Sequence, residues 1–192
     1  ADWIVQVKGA GAVNVGGGAK LTADGSFTVE APEISLTIAG TIKAEALKIF
    51  QAYWGNHSYG EPENPGVYSK FYWGDAAFFL MDNHYHRDAA DLDQDKHPEK
   101  SQWGRRQLEW LEQSLLQAKA LRHYTFKFIA TGNQMLQTEP RGEPHELYRR
   151  EREELMDFIR ENQITGVVFL TGDVHHSALY RRQPSTDGPR VY

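Results

Sequence analysis

Apolar and polar positions follow two different rhythms along this chain, and the change falls near residue 43. Over residues 5–44 the sequence divides into blocks of eight: VQVKGAGA, VNVGGGAK, LTADGSFT, VEAPEISL and TIAGTIKA. Val5, Val13, Leu21 and Val29 open successive blocks, and Gly9, Gly17 and Gly25 each follow four residues later. A fixed period with glycines at the corners marks a solenoid, in which each block supplies a short alternating strand and a tight turn. The same residues also fit an ordinary meander of two or three β-hairpins.

Beyond residue 43 the period lengthens. AEALKIFQAYW (44–54) sets Ala46, Ile49, Phe50 and Tyr53 at helical spacing. GNHSYGEPENPGVYSKF, which follows, is crowded with Gly, Pro and Asn and predicts a long irregular loop. YSKFYW and AAFFLMD, within 68–82, predict two strands joined at Gly74-Asp75, a tight hairpin signal. Residues 88–101 are polar and acidic, as a surface loop would be. GRRQLEWLEQSLLQAKA (104–120) predicts an amphipathic helix with Leu108, Leu111, Leu115 and Ala118 as its stripe. Phe126 to Thr131 predicts a buried strand. EPHELYRREREELMDFIRENQ (143–163) predicts a second long helix with Leu147, Leu155, Phe158 and Ile159 inward. Within it, RREREE (149–154) has the pattern of a solvated face with i,i+4 ion pairs. Val167 to Thr171 predicts a last buried strand.

Short apolar strands alternating with helices predict an α/β layered domain with a partly parallel sheet over residues 43–192, preceded by the β-repeat segment 1–42. In such sheets, sites gather at the carboxyl ends of strands. Two polar motifs fall there: ATGNQM after the strand 126–131, and TGDVHH after the strand 167–171. The helix between them makes the two strands neighbours, which brings Asn133 within reach of Asp173 and His175. An amide oxygen, a carboxylate and an imidazole together suit a divalent cation such as zinc, iron, manganese or calcium. In an extended strand end Asp173 and His175 share a face and His176 takes the other. The alternative is a turn-capping Asp followed by two surface histidines. Asp82, His84, Tyr85 and His86 form either a second ligand cluster or a strand-end polar group. Trp54, Trp73, Trp103 and Trp110 suit core packing better than stacking on a ligand.

Composition narrows the function classes. The formal net charge is −5 with no dense basic run, which argues against a nucleic-acid surface. The chain has no cysteine, so disulfides and thiolate metal sites are excluded. No apolar run approaches the roughly 20 residues of a membrane span. Asp2 and Lys8 interrupt what would be the apolar core of a signal peptide.

The ordered series of motifs carries a family resemblance. FQAYWGNHSYGEPENPGVYSKFYWGDAAFFLMDNHYHRD (50–88), RRQLEWLEQSL (105–115), FKFIATGNQM and FLTGDVHHS together resemble the alkaline phosphatase D (PhoD-like) branch of the calcineurin-type metallophosphatases. The resemblance implies a partial metallophosphatase-like sheet with flanking helices, and hydrolysis of phosphate mono- or diesters. It implies two metals that polarise phosphoryl oxygens and supply a hydroxide for in-line attack. Asp173 and His175 are then metal ligands or their neighbours, and Asn133 holds a metal or a phosphoryl oxygen. His176 orients the leaving group or supports a ligand, and Arg87 is an anion contact unless it forms a structural pair with an Asp. The partner is a small phosphate ester, and the location is extracellular or periplasmic.

Three features depart from the family pattern. The upstream acidic strand-end motif and the GD-x-x-D-type motif are absent, His84 stands where the family prefers Arg, and the family's chain continues past PRVY. Asp173, His175 and Asn133 do not complete a two-metal site, so this chain is expected to be incomplete or weakly active alone. The octads resemble the β-helical spike of phage tails and VgrG proteins, which implies a homotrimer through residues 1–42. The competing expectations are a non-catalytic β-spike that delivers a phosphatase-derived domain, and a truncated or chimeric reading frame.

Overall fold

The computed structural model describes residues 41–136, 145–173, 175 and 177–181, with the backbone alone at 41 and 42. The chain divides after Thr37, and every described residue belongs to the second unit, Ile38–Tyr192. The first four octads, with the spike and trimer expectations that rest on them, lie outside the described residues, as does His176; the end of the fifth, Thr41–Ala44, is helical as the first turn of a helix and not a β-repeat.

The element order is α1 (Thr41–Tyr53), β1 (Gly60–Glu61), β2 (Asn64–Pro65), β3 (Ser69–Trp73), β4 (Ala76–Leu80), α2 (Arg105–Ala120), β5 (Phe126–Ala130), a 3-10 turn (His145–Tyr148), α3 (Arg149–Glu161) and β6 (Val167–Leu170). The predicted loop after α1 is not wholly irregular, because β1 and β2 form a two-residue antiparallel ladder within it. The predicted helix 143–163 forms as the 3-10 turn followed by α3.

Four strands make one mixed sheet in the order β3-β4-β5-β6. The hairpin β3–β4 is antiparallel, whereas β4–β5 and β5–β6 are parallel. Each parallel step crosses over through a helix, as parallel strands require. Alternation along the strands gives the sheet two faces. Ala77, Phe79, Ile129 and Val167 pack with Leu108, Leu111, Leu115 and Ala118 of α2 and with Leu155 and Ile159 of α3 to form the core. On the other face, Phe71, Phe78 and Phe128 sit side by side in register. Their rings stack at centroid separations of 4.7 and 4.9 Å. Such cross-strand aromatic pairs each contribute on the order of 0.5–1 kcal/mol and help fix the register.

The buried stripe of α2 is the predicted one. Across the 3-10 turn and α3, Leu155 and Ile159 are buried as expected, but Leu147 and Phe158 are only half-buried, and Tyr148 and Met156 are buried instead. On α1 it is Leu47 that is buried, while Ile49 and Tyr53 face solvent. The tryptophans divide: Trp103 is fully buried and Trp110 partly so, whereas Trp54 and Trp73 are exposed.

The reading of RREREE as a solvated face fails at its centre, where Glu151 and Arg152 are buried. Glu151 accepts a hydrogen bond from Ser101 Oγ, from the backbone N–H of Gln102 at 3.1 Å and, at 3.4 Å, from that of Trp103. It also lies 3.0 Å from His145 Nε2, which must carry the proton because a carboxylate only accepts. Arg152 is held by Glu146 at 2.6 Å and Glu153 at 3.0 Å. Ser101 Oγ in turn accepts from the Gly104 N–H at 2.7 Å. The carboxylate of α3 thus satisfies the loop that leads into α2. In that loop, Lys100 is buried, donates to the carbonyls of Ala90 and Leu92 at 2.7 and 2.9 Å, and has its pKa lowered by burial.

Gly166, just before β6, adopts φ +72°, and a Cβ there would lie 2.0 Å from the Thr125 carbonyl oxygen. The Lys127 N–H donates to the Gly166 carbonyl at 2.8 Å, which starts the β5–β6 ladder. Gly166→Ala therefore combines a strained φ with a backbone clash. It is expected to destabilise the domain by about 2 kcal/mol or more, measured as a lower urea midpoint at unchanged slope. Wild-type stability would show that the β5–β6 junction adjusts freely.

Candidate active-site cleft

Because β4, β5 and β6 run parallel, their carboxyl ends open on the same edge of the sheet. Met81–Asn83 leave β4, Thr131–Asn133 leave β5, and Gly172–Asp173 follow β6. These three exits and one side of α1 enclose a cleft of about 750 Å³. Asn83, Asn133 and Asp173 line it from the strand ends, and Lys43, Leu47 and Phe50 line it from α1.

Asp82 is buried and builds the turn under the cleft. Its carboxylate accepts from the backbone N–H groups of Val67 at 2.8 Å, His84 at 2.9 Å and Tyr85 at 2.9 Å. Gln107 of α2 clamps the same residue, accepting from the Asp82 N–H at 2.8 Å and donating to its carbonyl at 3.0 Å. The ring of His86 turns to the Pro65 carbonyl, 2.8 Å away. Residues 82–86 are therefore a strand-end polar group and do not gather as ligands.

Asn83 has a fixed orientation. An indole N–H can only donate, so the Asn83 atom 2.8 Å from Trp103 Nε1 is the amide oxygen. The same oxygen accepts from Thr131 Oγ1 at 2.8 Å. Asn83 Nδ2 must then donate, and it meets Asn133 Oδ1 at 2.6 Å. The orientation of Asn133 is thereby set by a chain of bonds that begins at a buried tryptophan. Gly132 gives this pair room, since a Cβ there would stand 3.2 Å from Asn83 Nδ2.

The exits of β5 and β6 are tied together twice. The Thr131 N–H donates to the Leu170 carbonyl at 2.9 Å, and Gln134 Nε2 donates to the carbonyl of Gly172. Asp173 has φ +66°, a left-handed conformation that Asp tolerates better than most residues. Non-glycine residues held there cluster at functional sites. At the opposite wall Lys43 Nζ donates to the Tyr85 carbonyl at 2.9 Å, which leaves its charge beside the cleft.

The residues singled out in the sequence are thus distributed unevenly. Asn133 and Asp173 line one cleft, and Asp82, His84 and Tyr85 of the second candidate cluster line it as well. His175 is exposed, and neither it nor Arg87, which is half-buried, lines that cleft. His176 is outside the described residues. Asn83, Lys43 and Phe50 were not singled out. Asn83 follows a strand end just as Asn133 does, so the same rule applied to β4 would have found it had the parallel β4–β5 pairing been expected.

A divalent metal, which the phosphatase resemblance implies, asks for several oxygen or imidazole donors converging on one point. Among the described residues no three His, Asp or Glu side chains do so. Asn133 Oδ1 is engaged by Asn83, and the Asp82 carboxylate is surrounded by backbone N–H groups. The described residues therefore do not make a metal centre by themselves, and Asp173 is the cleft carboxylate best placed to contribute to one.

A solved structure of PhoD superposes with a TM-score of 0.57 at 21% sequence identity, over 69% of this chain and 28% of that one. At that identity the likeness establishes the fold, and the chain spans 28% of the length of the PhoD structure it matches. Among curated proteins none matches. The family model for PhoD-like phosphatases matches residues 37–191, and the chain therefore belongs to the PhoD-like phosphatase family.

Proposed function

We propose that this domain takes part in the hydrolysis of phosphate mono- or diesters, with the cleft at the ends of β4, β5 and β6 as its substrate-binding side. The observation that carries the reading is the meeting of Asn133 and Asp173, from successive parallel strands, in one cleft of a PhoD-like phosphatase domain. In this reading Asn133, held by Asn83, positions a phosphoryl oxygen, and Asp173 supplies one carboxylate toward a divalent ion. Manganese and calcium suit such oxygen donors, and zinc or iron suits them once an imidazole joins. The donors that complete the ion's shell come from beyond the described residues. In the same reading His175 is a further candidate ligand to the ion, and His176 and Arg87 are candidates for the leaving group and the anion, although neither His175 nor Arg87 lines the cleft. An extracellular or periplasmic setting suits the family. No helix among the described residues is long and apolar enough to cross a membrane.

The test is hydrolysis of a chromogenic phosphate monoester and the corresponding diester, with zinc, manganese, iron or calcium added in turn. Asp173→Ala is expected to lower the metal-stimulated rate at least tenfold, as loss of a ligand or its support does. Equal rates in the two proteins would remove Asp173 from the site. Absence of any metal-stimulated turnover by the wild-type chain would remove catalysis by this chain alone.

A further inference from the structure

We infer that the cleft is built for phosphate esters of aromatic or other bulky apolar alcohols, with Phe50 of α1 as the residue that selects them. This rests on the phosphoester reading above and adds the identity of the group on the far side of the ester.

The first argument is size. A phosphoryl group is smaller than a space of about 750 Å³, which leaves room for the alcohol of the ester. The second is the division of its lining. The strand ends contribute Met81 and most of the polar groups, Asp82, Asn83, Asn133 and Asp173 among them, whereas α1 contributes Ala46, Leu47 and Phe50. Sites for small organic molecules have this composition, with a few placed polar groups against an apolar wall. A short polar alcohol would leave that wall wet and gain nothing from it.

Phe50 is also braced before any ligand arrives. Its ring stacks on Trp54 at 5.7 Å and meets the edge of Tyr59 at 6.3 Å. Tyr59 is itself fixed, since its hydroxyl donates to the Trp54 carbonyl and accepts from the Asn56 N–H at 3.2 Å. The Asn56 side chain donates to the Val67 carbonyl at 3.1 Å, which ties this aromatic cluster to another residue of the cleft lining. An aromatic wall held in place this way loses little conformational freedom on binding, and its contact area converts more fully into affinity. Lys43, about two turns earlier on α1, sets a positive charge on the same side, which favours an ester that carries its negative charge between the two walls.

The experiment compares phenylphosphonate with methylphosphonate, two stable phosphate mimics that share the head and differ in the apolar group. Binding is followed by calorimetry on the full chain with and without manganese. The expected result is about 10- to 100-fold tighter binding of the phenyl compound, as burial of one ring implies. In Phe50→Ala that preference is expected to fall to about threefold or less. Phe50→Leu is expected to retain an intermediate preference. Equal affinity of the wild type for both compounds would overturn the inference while leaving the phosphoester reading intact. A strong preference that survives in Phe50→Ala would overturn the role of Phe50. No binding of either compound would overturn both readings together.

Discussion

Glu151→Leu is expected to destabilise the domain by about 3–5 kcal/mol, the largest effect of any single change considered for this chain. The side chains are similar in volume, so the loss is one of bonding. In the native protein the carboxylate serves Ser101, two backbone N–H groups and the ring of His145. Leucine leaves all four without that partner in a region closed to water, and each buried polar group left unsatisfied costs about 1–3 kcal/mol. The loop 100–104 is expected to loosen, and with it the entry to α2. A urea titration followed by near-ultraviolet circular dichroism measures the loss, and the melting temperature should fall by roughly 10 °C. Glu151→Gln keeps an acceptor and should lose about half as much. A cost below about 1 kcal/mol for the leucine variant would mean that water enters and replaces the carboxylate.

Asn83→Leu ranks second and acts on stability and on the cleft at once. It strips the partner from Trp103 Nε1 and Thr131 Oγ1 and releases Asn133 Oδ1. The expected destabilisation is about 2–4 kcal/mol. Metal-stimulated hydrolysis and phosphonate binding should both fall at least tenfold. Asn83→Asp separates the two effects. A carboxylate still accepts from the indole and the hydroxyl, so most of the stability should remain. It no longer donates, so Asn133 is driven to turn its amide over and present Nδ2 where Oδ1 stood. The aspartate variant should therefore keep most of the wild-type melting temperature yet lose binding as the leucine variant does. Full binding by a stable aspartate variant would show that the orientation of Asn133 is irrelevant to the ligand.

What the sequence disclosed, and what it withheld, follows from the range of the interactions involved. The stripe Leu108, Leu111, Leu115, Ala118 and the apolar runs of β4, β5 and β6 are local periodicities, so helix, strands and the mixed α/β sheet were all legible. The family, too, was readable from the order of its motifs. Asn133 and Asp173 were singled out because each lies just past an apolar strand, and both line the cleft, although β6 is buried only at Val167 and leaves Leu170 exposed. Glu151 was misread for the opposite reason. RREREE looks like a solvated face to any local rule, and the groups that bury its centre lie about 50 residues upstream in the loop before α2. Asn83 was missed because its meaning depends on β4 and β5 running parallel, a pairing that no short segment announces. On α1 the helical spacing was right and the buried side was wrong, since Ile49, Phe50 and Tyr53 outnumber Leu47 in any count of apolar residues.

The hydrogen bond from Trp103 to Asn83 has an optical consequence. Of the four described tryptophans, Trp54 and Trp73 are open to solvent and should emit at long wavelength and be quenched by iodide. Trp103, wholly enclosed, should emit at shorter wavelength and escape the quencher. Its indole N–H ends on the amide that governs Asn133, so whatever shifts that amide alters the surroundings of an intrinsic fluorophore. With iodide present to silence the outer indoles, the blue residual emission becomes a label-free gauge of occupancy at the strand ends.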